Sequence, residues 1–371
     1  MDLPVRPSAH DGSAPTAEPS ARILIVKLSA LGDVIHTLPA LTTLRRHQPS
    51  AELHWLVEDA AADLLDSHPA LDARLVLPRR EWRQLRQEGR WLEAARRMLR
   101  FRSELRSVRY DWALDFQGLA KSAIWIASAR ARRKAGFGPG LPRNEGAWLA
   151  LNTRVPPPSA DVHALDRNLL LLEALGFPRL PLQYDIPSSP EREARARTLL
   201  QDAGVNPLQP WIAINPVTRW PTKDWHADGW AAVVRALDTL GIGYVFTGGP
   251  ADAPSISAVE SLLGHPLPRL DGRTRLPELA DVLRSSRVLV TTDTGPMHLA
   301  AAVGTPVVAL FGPTAPWRTG PYGKGHHVLR EALECSPCFR RRCTTTRYER
   351  LACMRRITPD RVIAAIRSVV G

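Results

Sequence analysis

The chain has 371 residues, 44% of them apolar, more than one typical core organises, which points to two α/β domains. Its 49 basic and 37 acidic residues leave a formal charge of +12. No zinc-finger spacing, RNP-type aromatic motif or clear helix-turn-helix accompanies that charge, so no nucleic-acid partner is expected, and no run of about 18 apolar residues exists to span a membrane.

Residues 1–20 are rich in Pro, Ser and Ala and lack a hydrophobic stretch; they read as a disordered tail rather than a signal peptide, which points to the cytoplasm. Arg22 to Leu28 (RILIVKL) then reads as a buried, parallel-type strand. The loop Ser29-Ala-Leu-Gly-Asp33 leads into a helix from about Val34 to Gln48. Asp33 sits where strand hands over to helix, a point that opens onto the cleft in such folds. A carboxylate there suits removal of a proton from an attacking hydroxyl; the same residue also reads as a plain N-cap. The loop lacks GxGxxG and the chain lacks GxxxxGK[ST], which weighs against dinucleotide and P-loop readings.

Leu53 to Val57, Ala73 to Leu77 and Trp112 to Phe116 read as further strands, with helical segments at 91–108 and 119–130 between them. Residues 79–109 hold eleven Arg, including Arg79, Arg80 and Arg83, against four Glu, a net +7. Within 91–108, Trp91, Ala94, Ala95, Met98, Leu105 and Val108 recur at roughly helical spacing, a basic amphipathic pattern that suits a membrane surface or an anionic ligand, or a solvated surface helix. At the end of the strand Trp112 to Phe116, Gln117 and Lys121 suit an anionic sugar, or simply begin an exposed helix. Four prolines within 176–190 mark the start of a crossover.

A second alternation follows. Trp211 to Asn215, Tyr244 to Thr247, Val288 to Val290 and Pro306 to Leu310 read as strands, with helices near 228–240, 254–263 and 359–369. Thr218 and Lys223, in the loop after the first of these strands, suit a diphosphate; Lys223 also reads as a solvated lysine in a loop tied down by Trp packing. After Val290 the run Asp293-Thr294-Gly295-Pro296 opens a helix, and a strand, a polar turn and a Gly-led helix start together make a phosphate site. In an ordinary βαβ unit Asp293 would serve only as an N-cap. His298, on the same helix, reads as a satisfied helix histidine. Cys335, Cys338, Cys343 and Cys353 fall within nineteen residues at a spacing that would hold zinc or leave reduced, buried thiols. Two Rossmann-like halves, each a doubly wound parallel sheet, and a cleft between them describe an α/β GT-B architecture. The boundaries read as 21–185 for the N-terminal domain, 186–208 for the linker, 209–356 for the C-terminal domain, and 357–371 for a helix packing back toward the N-terminal domain.

The pieces VKLSALGDVIHTLPAL (26–41), LDFQGLAKSA (114–123), TRWPTKDW (218–225) and DTGPMHLAAAVGTPVVALFGPT (293–314) together resemble the ADP-heptose:lipopolysaccharide heptosyltransferases, most of all heptosyltransferase I. The resemblance runs from about Arg22 to the C-terminus. It implies inverting, metal-independent transfer of L-glycero-D-manno-heptose from ADP-heptose, a co-substrate, to the Kdo of Kdo-lipid A, with no cofactor. It implies a place on the cytoplasmic face of the inner membrane, held peripherally. By resemblance Asp33 is the general base, and Thr218, Lys223, Asp252, Asp293, Thr294, Gly295 and His298 line the donor pocket. Ser29, Arg79, Arg80, Arg83, Gln117 and Lys121 fall on the acceptor side. The family often carries Glu near Asp252, so the ribose contact differs here. A related heptosyltransferase acting on another inner-core acceptor, a nucleotide-dependent oxidoreductase and a non-catalytic basic binding protein are the alternatives.

Overall fold

The computed structural model describes residues 20–141 and 144–371; the expected tail, apart from Ser20, lies outside the described residues. Six strands form the first sheet: β1 (Arg22–Val26), β2 (Glu52–Glu58), β3 (Ala73–Leu77), β4 (Arg109–Asp115), β5 (Arg130–Phe137) and β6 (Thr153–Val155). They pair in parallel in the order β3-β2-β1-β4-β5-β6. Five form the second: β7 (Trp211–Asn215), β8 (Gly243–Phe246), β9 (Val288–Thr292), β10 (Val307–Phe311) and β11 (His327–Arg330). Their order is β11-β10-β9-β7-β8, again parallel. Central strands such as β1 and β10 are buried along almost their whole length, which is why they are apolar without alternation. The fold is thus α/β, with two Rossmann-like sheets in a GT-B arrangement.

Strand order reverses between β1 and β4 in the first sheet and between β7 and β9 in the second. In open parallel sheets ligands bind beyond the carboxyl ends of the strands at such switch points. The loops after β1 and β4 carry Ser29, Asp33, Gln117 and Lys121, and those after β7 and β9 carry Thr218, Lys223, Asp293 and Gly295. The topology therefore gathers these residues at two switch points.

The two sheets share one apolar cluster. Ile23, Leu41, Trp55 and Leu172 from the first lobe belong to it together with Leu199, Leu283, Met297 and Phe311 from the second. Arg275 adds ion pairs across the lobes to Asp63 at 3.2 Å and Asp66 at 3.3 Å.

The structure departs from the sequence reading in three places. The helix expected over 34–48 is two helices, Leu31–Ile35 and Leu38–His47, broken at His36–Thr37. Pro39 has no N–H to continue the ladder to Ile35. β5, β6 and β11 are additional strands; β5 carries Arg130, Arg132 and Arg133 exposed, and that charge masks its strand character. The last helix, Pro359–Val370, does not pack back toward the N-terminal domain as expected. Val362, Ala365 and Ile366 bury it on the second sheet with Trp225, Trp230 and Ile357. Its apolar stripe had no partner legible in sequence, and the Trp-lined face of the second sheet supplied one.

Candidate active site

The loop after β1 forms one wall of the cleft. Asp33 is the third residue of the helix Leu31–Ile35 rather than its N-cap, and its Oδ2 accepts the Ala30 N–H at 3.0 Å. Among the described residues no cation pairs with it and its second oxygen takes no hydrogen bond, so the half-buried carboxylate keeps a free face. Beneath it lies Lys27, a buried lysine to which the sequence reading gave no role. Its Nζ donates to the Phe116 carbonyl at 2.8 Å. Burial pulls its pKa down, and the charges of Asp33 and Asp115 oppose that pull.

The loop after β4 braces the loop after β1. Gln117 Oε1 accepts both the Leu28 N–H at 3.0 Å and the Ser29 N–H at 3.1 Å. Buried Asp115 organises the turn by accepting from the Gln117 and Gly118 N–H groups and from the Ser122 hydroxyl. Its carboxyl is nonetheless raised, with burial outweighing those donors. Lys121 donates to the Ser29 hydroxyl and pairs with Glu58 at 3.1 Å. Glu58 also takes Arg79 at 2.9 Å, which joins two of the residues expected on the acceptor side through a carboxylate that sequence spacing did not single out. Arg80 and Arg83 are exposed at the start of the helix Arg79–Gln87, without an acidic partner for their guanidinium groups among the described residues.

The opposite wall comes from the second sheet. Lys223 Nζ pairs with Asp293 Oδ2 at 2.7 Å, and the Thr314 hydroxyl donates to the same oxygen at 2.6 Å. Lys223 also lies 4.7 Å from the centre of the Trp220 ring. Asp293 is not a cap: Thr294 occupies the N-cap of the helix Gly295–Ala302, with no side chain closing the first turn. Its N–H groups and the positive end of the dipole are left to face an anion. Thr218 is turned onto its own loop, its hydroxyl donating to Trp220 O at 2.8 Å and to Asp224 Oδ1 at 3.1 Å. Asp252 likewise accepts the Gly249 N–H at 2.7 Å. The side chains of Thr218 and Asp252 thus shape the backbone of the two loops.

Three histidines join the walls. His36 Nε2 and His298 Nδ1 lie 3.0 Å apart, and the His36 and His163 ring centres 5.1 Å apart. His163 in turn reaches the Gly320 carbonyl at 3.1 Å. Burial pushes His298 down to about 4 and lowers His36 and His163 as well, so all three are neutral near pH 7. Asp33 and Asp293 both act on His298, raising its pKa against that burial, so carboxylates from both lobes bear on one ring. Close approach is secured by two glycines. A Cβ on Gly32 would fall 2.3 Å from His298 Cδ2, and one on Gly295 would fall 2.8 Å from Leu31 Cδ2. Arg167 also faces Asp33; burial and the nearby Arg318 lower its pKa while Asp33 raises it. Its place on a leucine-rich helix gave no sign of this.

The four cysteines are free thiols around one hollow of about 490 Å³. Burial and the other three thiols push Cys353 up to about 11. Among the described residues no group of three or more His, Cys, Asp or Glu side chains is arranged to hold a metal ion. The cysteine loop supports the loop that carries Lys223, since Arg340 O accepts from Thr222 at 2.8 Å and Arg341 lies 5.0 Å over Trp220.

The family model for glycosyltransferase family 9 (heptosyltransferase) matches residues 98–349. Lipopolysaccharide heptosyltransferase 1 of Pseudomonas aeruginosa is 32% identical to this chain, over 94% of this chain and 98% of its own length. In three dimensions the chain is similar to the E. coli heptosyltransferase WaaC with ADP, at TM-score 0.72 and 26% identity, covering 94% of this chain and 99% of that one. The structure of WaaC with ADP-2-deoxy-2-fluoro heptose is similar over the same shares at TM-score 0.69 and 26% identity.

Proposed function

This chain belongs to glycosyltransferase family 9 and is a heptosyl-transferring glycosyltransferase of lipopolysaccharide core biosynthesis; from that premise we propose that ADP-heptose is its donor, the Kdo of Kdo-lipid A its acceptor, and Asp33 its general base. ADP-heptose is a co-substrate in this scheme, and no bound cofactor takes part.

The donor's diphosphate lies at the Thr294–Gly295 helix start, with Lys223 held beside it by Asp293. As the bond from the anomeric carbon to the diphosphate oxygen breaks, negative charge builds on the departing ADP. The lysine and the helix dipole already face that charge, a preorganisation worth about 3–4 kcal/mol where one such donor has been removed from other enzymes. Thr218, Asp252 and His298 complete the donor side. On the other wall the acceptor hydroxyl gives its proton to Asp33 and attacks the anomeric carbon from the face opposite ADP. One displacement inverts that carbon and forms no covalent bond to the enzyme.

Lys27 positions the base, since it is pinned to the Phe116 carbonyl while its charge acts on Asp33. Ser29, Gln117 and Lys121 shape the acceptor floor, and Arg79, Arg80 and Arg83 meet its anionic groups. A lipid-borne acceptor places the protein peripherally on the cytoplasmic face of the inner membrane.

The observation that carries this reading is that the Asp33 turn and the Gly295 helix start meet across the lobes, Gly32 against His298 and Gly295 against Leu31. The test is incubation with ADP-heptose and Kdo-lipid A, following ADP release, with ADP-glucose as control. Release that needs both substrates and fails with ADP-glucose is expected; equal release from either donor would discard the donor assignment.

A further inference from the structure

Resting on the reading that the acceptor sits in a bilayer, we propose that the outer face of the helix Trp91–Ser107 docks this protein onto an anionic phospholipid surface. Only Ala94 and Leu105 of this seventeen-residue helix are buried. Next to that buried edge Trp91 is 61% exposed, Leu92 77%, Met98 44% and Leu99 58%, and Ala95 between them is exposed too. Positions 91, 92, 95, 98 and 99 fall on one stripe of a 3.6-residue helix. No other stretch of the described chain exposes four large apolar side chains within nine residues.

Cationic residues accompany the stripe. Arg96 lies beside it and Arg102 continues it one turn past Met98 and Leu99; both are exposed and have no acidic partner among the described residues. The helix also stands off from its neighbour Arg79–Gln87, leaving a hollow of about 610 Å³ between them. An apolar stripe flanked by guanidinium groups matches the boundary between acyl chains and phosphates. Trp and Leu side chains enter the acyl edge while arginines meet the headgroups. A second copy of the chain is a poorer occupant, because a symmetric contact would set these arginines against themselves. The docking helix and the acceptor-side Arg79, Arg80 and Arg83 belong to one lobe, so binding through the stripe brings that lobe, rather than the donor lobe, to the membrane.

The test uses the full chain in co-sedimentation with vesicles of phosphatidylethanolamine and phosphatidylglycerol, with phosphatidylcholine vesicles as control. The native protein is expected to bind the anionic vesicles, less so as salt is raised. L92D/L99D should weaken that binding roughly tenfold or more while leaving ADP release with a water-soluble, deacylated Kdo acceptor unchanged. A second variant, R96E/R102E, should lose binding most at low salt. Unchanged vesicle binding in both variants, or no binding by the native chain, overturns the proposal. So does a native dimer that L92D/L99D converts to monomer without loss of vesicle binding. If the soluble acceptor is heptosylated but vesicles are not bound, the docking surface alone fails; if vesicles are bound but no acceptor reacts, the catalytic reading alone fails.

Discussion

His36 of the first lobe and His298 of the second place ring nitrogens 3.0 Å apart, a direct hydrogen bond across the lobes. The hydrogen bond needs one donor and one acceptor, which two neutral rings supply and two protonated rings cannot. Burial keeps both rings in that state.

Stability should therefore depend on pH in a defined direction. His36, His163 and His298 have folded-state pKa values below the ordinary 6.5, His298 at about 4. Below 6.5 the unfolded chain takes up protons that the folded chain refuses, so stability falls as pH drops from about 6.5 toward 4, by up to about 1.4 kcal/mol per pH unit for each ring. Above 6.5 these groups add no slope. Melting temperatures measured from pH 4 to 8 test this, and a profile that stays level down to pH 5 contradicts it.

Asp33→Asn keeps the shape of the side chain and removes its basicity. ADP release in the presence of acceptor should fall by roughly 100- to 10,000-fold. Donor affinity by calorimetry should stay within about twofold, because the role proposed for Asp33 is toward the acceptor. A rate within tenfold of the native one would show that another group takes the proton.

Gly32→Ala sets a methyl 2.3 Å from the His298 ring. The clash should cost about 1–3 kcal/mol of stability and disturb the seam between the lobes. Gly89→Ala, where no atom lies within 4 Å but φ is +76°, separates backbone strain from steric conflict. Chemical denaturation of both variants gives the comparison, and equal losses would argue against the clash.

Lys223→Met removes the charge that Asp293 holds at the helix start. The donor side should suffer in both KM and kcat, with a combined loss of about 1.5–3 kcal/mol in kcat/KM for ADP-heptose. The KM for acceptor should hardly move. A change confined to the acceptor would relocate Lys223 to the wrong wall.

Glu58→Gln loosens Lys121 and Arg79 together, since one oxygen of Glu58 takes both. The acceptor KM should change while the donor KM does not. Steady-state kinetics with each substrate varied in turn decides this.

Much of the candidate site was legible because its residues lie at strand ends, and strand ends are marked in sequence. Asp33, Lys223, Asp293 and Gly295 each follow an unbroken apolar strand, and each lies at a switch point. What stayed hidden depends on contacts remote in sequence. Glu58 gains its role only when Lys121 and Arg79 converge on it, and Arg167 only when its helix turns toward Asp33. The roles of Thr218 and Asp252 differ from a simple ligand list because their side chains bind their own loops. β5 escaped notice because three exposed arginines outweigh its apolar signal.

The apolar cluster that runs unbroken from Ile23 to Phe311 carries one last implication. Neither half presents a finished surface when cut from the other, so heating should melt the molecule in a single step rather than lobe by lobe. A chimaera built from two relatives would need to import both sides of this seam, including Leu31, Gly32, Gly295 and His298, or it would join parts that do not fit.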